Sequence, residues 1–580
     1  MKKQWLGWLG GLGLTILPVV SAPAWGAERI YISYAAFERS IPIEALEIYA
    51  KEGRITKELA GYARYLNPQQ RARLRAGLRA RVNQDNITIS QFLYSPSGEQ
   101  LLRRLGKVIQ TESRQSGFYA IRAALIQAAA EPEGITALNV LRQFPTEGIR
   151  VNLAVATDTL RQVEQLVDQT AMAVTAVRNQ SQAQASGTNT NASQLRGLQY
   201  RGPFSWQKET LKLEDASRAR LGVGDGGRTF LADVYLPKGP GQGLIPVIVF
   251  SHGLGSDRQT YAYLAEHLAS YGFAVAVPEH PGSGAQQVTA LLNGQASEVA
   301  KPSEFVDRPL DVKFLLDELG RRGATPRTSP SQIDPTYYRR LNLQQVGMIG
   351  HSFGGYTALA LAGARLNFEK LEESCGTNLD RTLNVSLLLQ CRALVLPKRN
   401  YNLSDSRVKA VVAIDPLTSS VFGQPGLSLV KVPAMLVAGS ADTVTPALLE
   451  QIQPFTWLSS PQKYLTLIEG ATHFSTTGES SVKTGALPVP PEVIGPSPSL
   501  ARRYLNALSA AFFQTYITKQ PGYARYLTPA YATAISQTPL RLSITQMLDP
   551  AVLEKLLSSK LPKVKVMASA SRPLIRGELR

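Results

Sequence analysis

The residues best suited to chemistry surround Ser352, in the run GHSFG at residues 350–354. An apolar run at residues 346–349 precedes this motif and a helix-type pattern follows it, so G-x-S-x-G stands between a predicted strand and a predicted helix. In that setting a sharp turn lifts the serine hydroxyl above the edge of the sheet, and the glycines let strand and helix approach closely. The pattern predicts that Ser352 is a nucleophile.

A serine nucleophile needs a base to take its proton and an acid to orient that base. The sequence has five histidines, and only His473 follows Ser352, as a chain order of nucleophile, acid and base requires. Two of the four aspartates between them follow a predicted strand: Asp415 after one and Asp442 after the next. We expect Asp442 to be the acid, with Asp415 as the alternative.

Acyl transfer also needs two N–H donors that bind the oxyanion of the tetrahedral intermediate. Phe353, directly after the nucleophile, supplies one donor. We expect the other from Leu254, because it lies in the run SHGLG at residues 251–255, directly after an early predicted strand. The sequence has no P-loop, no HExxH motif and no dinucleotide-binding fingerprint, so we expect no cofactor and no metal.

The elements that must position these residues lie between residues 197 and 520, the predicted catalytic domain. Short apolar runs rich in β-branched residues alternate there with helix-type patterns. Such alternation predicts an α/β fold with a mostly parallel sheet covered by helices on both faces. The predicted strands occupy residues 230–236, 246–251, 273–278, 346–350, 408–414, 434–438 and 464–468.

The flanking segments differ from this pattern. Residues 28–177 carry apolar residues at helical spacing, which predicts a separate all-α N-terminal domain. Residues 178–196 are rich in Gln, Asn, Ser and Thr and predict a flexible linker. Residues 521–580 form a predicted C-terminal extension with a basic end.

The first 27 residues have the pattern of a secretory signal peptide. Lys2 and Lys3 precede an apolar run, and a stretch rich in small residues follows at 21–27. The apolar run is shorter than the ~20 residues that span a bilayer. We therefore expect cleavage between Ala24 and Ala27 and a periplasmic or secreted protein; an uncleaved membrane anchor is the alternative.

The chain has two cysteines, Cys375 and Cys391, which allow one disulfide in an oxidising compartment. Both lie in the segment 366–407, between the helix after Ser352 and the next strand. Segments in this position can cover an active site as a lid, and its leucines would suit an acyl-binding wall. Ordinary core packing is an equal alternative.

Composition and charge narrow the class of protein. The 580 residues are 44% hydrophobic and carry a formal net charge of +18. A basic balance suits an anionic membrane surface, and it is also common in exported proteins. Zinc-finger spacing, a basic region joined to heptads and an RNP-like strand are all missing, so we expect no nucleic-acid partner.

The sequence resembles a known branch of the α/β-hydrolases at three places: FSHGLG at 250–255, Glu279-His280, and GHSFGG at 350–355. These runs are similar to the platelet-activating-factor acetylhydrolases and share features with dienelactone-hydrolase-like enzymes and polyesterases. The resemblance covers roughly residues 200–480. It implies esterase or phospholipase A2-type cleavage of short acyl chains without calcium.

The resemblance does not select the acid. In the acetylhydrolase branch the acid follows the earlier strand, which implies Asp415. In the polyesterase and dienelactone-like groups it follows the later strand, which implies Asp442. The complete layout also resembles exported cyanobacterial α/β-hydrolases with a helical N-terminal domain of unknown function.

These observations predict an exported serine ester hydrolase that acts through an acyl-enzyme on acyl lipids or short-chain esters. A polyester or dienelactone-type hydrolase is the alternative among enzymes. A third hypothesis belongs to another class: the N-terminal domain binds the cell envelope or a partner, and the hydrolase domain is its scaffold.

Overall fold

The computed structural model describes residues 26–34, 37–82, 84–186, 195, 197–221, 227–239, 241, 243–324, 334–376, 379, 382–478 and 491–558. Almost all of the predicted signal peptide therefore lies outside the described residues. The chain forms two compact units. One holds the described residues up to Ser90 together with Leu101–Ala156, and the other holds Gln91–Gln100 and the described residues from Thr157 onward.

The part of the chain up to Ser186 is mixed in secondary structure. Its strands are β1 (Arg29–Tyr34), β2 (Phe37–Pro42), β3 (Arg81–Val82), β4 (Ile109–Thr111), β5 (Ile135–Thr136) and β6 (Gly148–Asn152). Its helices are α1 (Ile43–Glu52), α2 (Lys57–Ala63), α3 (Pro68–Arg79), α4 (Asn86–Tyr94), α5 (Pro96–Val108), α6 (Phe118–Ala130), α7 (Ala137–Arg142) and α8 (Leu153–Ser186).

The prediction of an all-α N-terminal domain was wrong. The first unit contains a four-stranded sheet in the order β2-β1-β6-β4, with β1 and β2 antiparallel and β1 and β6 parallel. The reason is visible in β1, whose sequence RIYISY alternates with the period of two that a half-buried strand requires. Ile30 and Ile32 pack against a small core that includes Leu46 and Tyr49.

The second unit is built on one nine-stranded sheet, in the order β15-β14-β13-β12-β11-β9-β10-β8-β7. Its central strands, from β14 to β10, are parallel, and antiparallel strands flank them at both edges. The strands are β7 (Ser205–Asp215), β8 (Arg228–Lys238), β9 (Ile245–Ser251), β10 (Ala274–Pro278), β11 (Leu341–His351), β12 (Val408–Ile414), β13 (Ala434–Gly439), β14 (Lys463–Glu469) and β15 (Arg541–Thr545).

Helices cover both faces of this sheet, as predicted. Successive side chains of β9 alternate between two buried clusters: Val247 and Val249 pack in one, and Ile248 and Phe250 in the other. The helices are α9 (Ala262–Ser270), α10 (Ala285–Leu292), α11 (Glu304–Ala324), α12 (Pro335–Arg339), α13 (Phe353–Leu361), α14 (Phe368–Cys375), α15 (Leu387–Gln390), α16 (Gly423–Leu427), α17 (Gln453–Trp457), α18 (Pro491–Ile494), α19 (Pro498–Tyr516), α20 (Pro529–Ile535) and α21 (Pro550–Ser558).

Two segments predicted as a linker and as an extension add regular structure to the second unit. Residues 178–186, expected to begin a flexible linker, are the last turns of α8, where Gln and Ala favour a helix. Ser181 Oγ accepts the Ile544 N–H at 3.3 Å. Ile544 belongs to β15, which lies within the predicted extension and pairs with β14, so the sheet includes part of that extension.

The described residues include no helix that combines the length and the apolar character needed to cross a bilayer. The remaining linker residues, 187–194 and 196, and the chain end after Ser558 lie outside them.

Candidate active site

Ser352 lies on a sharp turn between β11 and α13. Its backbone has φ 56° and ψ −116°, a conformation that costs a non-glycine residue roughly 1–3 kcal/mol. The neighbouring glycines are needed for space: a Cβ at Gly350 would lie 2.1 Å from the Gly354 carbonyl oxygen, and one at Gly354 would lie 1.9 Å from the Ser251 carbonyl oxygen. Strand and helix thus approach as closely as the sequence motif predicts.

His473 follows β14, in a loop that packs against this turn. The His351 ring, next to Ser352, donates from Nε2 to the His473 carbonyl oxygen at 3.0 Å, and the two imidazole centroids are 4.7 Å apart. Burial lowers the pKa of His351 to about 3, so this ring is neutral. The structure therefore brings His473 to the nucleophile turn from a position 121 residues further along the chain.

Asp442 lies after β13 and holds the ring of His473. Its Oδ2 is 2.7 Å from His473 Nδ1 and accepts the Thr445 hydroxyl at 2.7 Å. Its Oδ1 accepts the N–H groups of Val444 and Thr445 at 2.7 and 2.8 Å. Both oxygens of the buried carboxylate are thus occupied, which fixes the direction in which it faces the imidazole.

Asp442 and His473 shift each other's pKa toward the charged form. Burial raises the pKa of Asp442, but the hydrogen bonds and the charge of His473 outweigh burial, and the net shift is downward. Burial likewise lowers the pKa of His473, and the facing carboxylate outweighs it, so the net shift is upward. An anionic Asp442 that stabilises an imidazolium follows.

Asp415 is close to this pair without bonding to the imidazole. Its carboxylate accepts the Gly439 N–H at 2.9 Å, and its backbone has φ 44°. Burial and the Asp442 carboxylate raise its pKa well above the usual value. Of the two predicted candidates, Asp442 is the one that contacts Nδ1 of His473, whereas Asp415 binds the Gly439 N–H.

His351, Asp415 and His473 also offer three ligand-type atoms within 4.8 Å of one another. Each ring already has one nitrogen engaged: Nε2 of His351 with a carbonyl oxygen and Nδ1 of His473 with Asp442. With Nδ1 of His473 facing Asp442, Nε2 is the nitrogen of that ring suited to proton transfer.

The predicted oxyanion donors come from two elements that meet at Ser352. Phe353 opens α13, so its N–H has no acceptor within that helix. Gly253 lies close to the nucleophile, since a Cβ added to it would be 3.4 Å from Ser352 Cβ. The loop before Leu254 therefore packs against Ser352. Gly255, with φ 67°, supplies the turn that follows Leu254.

Arg308 of α11 is a residue of this site that the sequence analysis missed. Its buried guanidinium donates to the carbonyl oxygen of His252 at 2.6 Å and to that of Gly253 at 3.4 Å. It also lies over the ring of Phe353, 4.4 Å from the centroid. One side chain therefore touches both the loop before Leu254 and the residue after the nucleophile. The sequence signal that could have revealed Arg308 is the number of charged residues in the first turns of α11, namely Glu304, Asp307, Arg308 and Asp311.

A second Ser-His-Asp chain lies beneath the oxyanion loop. His280 Nε2 is 2.9 Å from Ser251 Oγ, and His280 Nδ1 is 2.9 Å from Asp311 Oδ2. All three residues are fully buried, and burial together with the nearby arginines lowers the pKa of His280 well below its usual value. Because these three residues are buried, they cannot reach a substrate, and their role is to hold the loop that carries Leu254.

The predicted pairing of Cys375 with Cys391 is confirmed by a disulfide between them. The bridge joins the end of α14 to the turn after α15. Asn384, Ser386 and Gln390 all hydrogen-bond to Oε1 of the buried Glu450 at 2.5–2.8 Å. The disulfide therefore closes a loop within the inserted segment 366–407, and the buried polar cluster at Glu450 anchors this segment to the rest of the unit.

Two family profiles match parts of the chain. A family profile described as "Alpha/beta hydrolase of unknown function (DUF1400)" matches residues 26–152, and one described as "Platelet-activating factor acetylhydrolase, isoform II" matches residues 235–311. The first description names the α/β-hydrolases, and the mixed sheet with helices on both faces is consistent with that class. The predicted resemblance to that superfamily is confirmed.

The chain is also similar to platelet-activating factor acetylhydrolases. It is 28% identical to that of Bos taurus over 158 residues, which is 23% of this chain and 34% of the relative. It is 28% identical to that of Cavia porcellus over 155 residues, with the same shares. The chain thus spans about a third of the length of these relatives. The matched profiles and relatives are all described as hydrolases.

Proposed function

We propose that this protein is an exported serine carboxylic-ester hydrolase that works through an acyl-enzyme. The observation that carries the proposal is the Asp442–His473 pair beside the strained turn of Ser352. Ser352 is then the nucleophile, His473 the general base and Asp442 the residue that orients it.

The reaction runs in two balanced halves. Ser352 Oγ attacks the ester carbonyl carbon and its proton passes to Nε2 of His473, while the N–H groups of Leu254 and Phe353 bind the oxyanion. Collapse breaks the bond to the alcohol, which leaves with the proton from His473. Water then attacks the acyl-enzyme by the same route and releases the carboxylic acid.

Acyl lipids or short-chain esters are the proposed substrates, as the similarity to the acetylhydrolases suggests. A second candidate is a polyester or dienelactone-type hydrolase. The position of Asp442 favours it, because the acid follows the later strand in polyesterases and dienelactone-like enzymes. Parallel assays of an acetylated phospholipid, a soluble polyester oligomer and a dienelactone separate the candidates.

The first test is hydrolysis of p-nitrophenyl esters from acetyl to palmitoyl by the full-length mature protein and its Ser352→Ala variant. We expect turnover by the wild type and a fall to background in the variant. Equal inactivity of both across the series would contradict the enzyme proposal and favour an envelope- or partner-binding role.

Export is part of the proposal. The Cys375–Cys391 bridge supports it, because disulfides persist mainly in oxidising compartments. Mass spectrometry of the protein recovered from its native host should show a new N-terminus between residues 25 and 28. An intact N-terminus in the cytoplasmic fraction would contradict it.

A further inference from the structure

An apolar groove runs along the helix α8 within the second unit. It has a volume of about 740 Å³ and lies between one face of α8, residues 383 and 385 of the inserted segment, and the loop 440–447 that carries Asp442. Cavities of this size are in the range that holds small-molecule ligands. None of its walls belongs to the segment 235–311 that matches the acetylhydrolase profile.

The helix presents a continuous apolar stripe to the groove. Val163, Leu166, Val167, Ala171 and Val174 recur at intervals of three and four residues, so they share one face of α8. At 1.5 Å per residue this stripe is about 17 Å long. Two acyl chains placed end to end fill a hydrocarbon core of ~30 Å, so one chain of a membrane lipid spans about 15 Å. The length of the stripe matches one such chain.

This apolar surface is open to solvent. Val167 is 60% exposed, and Val163 and Val385 are about 40% exposed. The same helix is fixed at its other end, since Val174 and Val177 are buried in the main core and Arg178 pairs with Glu469 at 2.9 Å. The groove therefore has a held wall and an uncovered apolar lining.

The charges in the lining favour an uncharged occupant. Arg178 and Asp442 are the charged residues that line the groove, and both are paired within the unit, with Glu469 and His473. The remaining polar groups of the lining are hydroxyls. A hydrocarbon chain fits this lining better than a head group or an anion does.

The groove lies beside the loop that orients the proposed base. The loop that carries Asp442 forms one wall, while the carboxylate of Asp442 holds the imidazole of His473. A chain that lies in the groove therefore reaches the loop that organises the base. We propose that this groove binds the acyl chain of the ester substrate and gives the enzyme a preference for long-chain acyl esters. The inference rests on the proposed function.

The test fills the groove with a bulky side chain. Val167→Trp places an indole in the lining at an exposed position, where folding should tolerate it. Leu160→Trp is the matched control, because Leu160 is 59% exposed on the same helix and does not line the groove. For each protein, kcat/KM is measured with p-nitrophenyl butyrate, octanoate and palmitate below their critical micelle concentrations.

We expect wild-type kcat/KM to rise with chain length. Val167→Trp should keep butyrate hydrolysis within twofold and lose at least tenfold on palmitate, whereas Leu160→Trp should follow the wild type. A Val167→Trp profile equal to that of the wild type overturns the groove assignment and leaves the proposed function standing. An equal loss on all three esters also overturns it, because the substitution then acts on the catalytic residues.

A binding measurement keeps the inference testable if no ester is hydrolysed. Fluorescence of cis-parinaric acid is titrated with the Ser352→Ala protein, with and without Val167→Trp. We expect the tryptophan to weaken binding at least tenfold, and Leu160→Trp to leave it unchanged. Equal affinity in all three proteins overturns the inference independently of catalysis.

Discussion

Two aspartates lie near the imidazole of His473, and the loop after β13 decides between them. Asp442 has both carboxylate oxygens held by Thr445 and its neighbour, which aims Oδ2 at Nδ1 of the ring. The carboxylate of Asp415 instead accepts the Gly439 N–H. The hydrogen-bond partners of each acid, more than its distance from the ring, separate their roles.

The substitutions Asp442→Asn and Asp415→Asn should therefore differ. Loss of the orienting carboxylate at Asp442 should lower kcat by roughly 10³–10⁴-fold, as for the acid of a serine triad. Asn at 415 keeps an acceptor for the Gly439 N–H and tolerates positive φ, so we expect less than a tenfold change. Ester hydrolysis by both variants checks this, and a larger loss at 415 would make Asp415 the acid.

The same pair sets the acid limb of the pH profile. His473 must be neutral to accept the proton of Ser352, so activity is lost as the pH falls through the pKa of His473. Because Asp442 raises this pKa above its ordinary 6.5, the limb of kcat/KM should lie above pH 6.5. In Asp442→Asn burial acts without the carboxylate, so the limb of the residual activity should move to lower pH. A limb that stays in place would show that another group controls it.

At the scale of elements, α11 positions the loop after β9. Arg308 binds the carbonyl oxygens of His252 and Gly253 through its planar fork and stacks on Phe353. The peptide N–H of Leu254 follows the second of these carbonyls, so its direction depends on them. The guanidinium thereby couples a helix to both proposed oxyanion donors.

Arg308→Lys keeps the charge and loses the fork. We expect kcat to fall by roughly 10²-fold, the loss typical of an oxyanion donor, with KM changed much less. Kinetics well below the unfolding temperature separate this effect from lost stability, and Arg321→Lys on the exposed side of α11 is the control. A lower unfolding temperature with unchanged kcat would reduce Arg308 to a structural role.

The disulfide between α14 and the turn after α15 closes a loop of 16 residues. Loop entropy predicts that Cys375→Ser/Cys391→Ser lowers the free energy of unfolding by ~3 kcal/mol. Denaturant unfolding measures the change, and the reduced wild type should match the double variant. Equal unfolding midpoints for the oxidised wild type and the variant would contradict the prediction.

How much of this could be predicted follows from the range of the interactions. Ser352 and seven of the nine strands of the second unit were predicted from local signals, because a motif or a run of β-branched residues lies within a few positions. The edge strands β7 and β15 were not predicted. Arg308 contacts a carbonyl 56 residues away, and β1 pairs in parallel with β6 far along the chain. Such contacts depend on the finished fold, which is why the oxyanion support and the pairing of the first sheet were missed. The alternating sequence of β1, in contrast, was a local signal that the helical interpretation overlooked.

At the scale of the whole molecule, the net charge of +18 should matter where the substrate lies in an anionic membrane. A neutral soluble ester reaches the site without this attraction. Salt shortens the Debye length from ~10 Å at 0.1 M to ~3 Å at 1 M, so it removes the attraction and leaves the buried catalytic pair nearly unaffected.

The protein should therefore sediment with phosphatidylglycerol vesicles at low salt, be released by 1 M NaCl, and stay in solution with phosphatidylcholine vesicles. Hydrolysis of an ester embedded in the anionic vesicles should fall in parallel with this release, while hydrolysis of p-nitrophenyl butyrate changes little, because only the first reaction needs the surface. Equal binding to both kinds of vesicle, or binding that salt does not weaken, would show that the charge of the chain serves no membrane contact. The apolar groove along α8 would then bind the acyl chains of esters that arrive from solution.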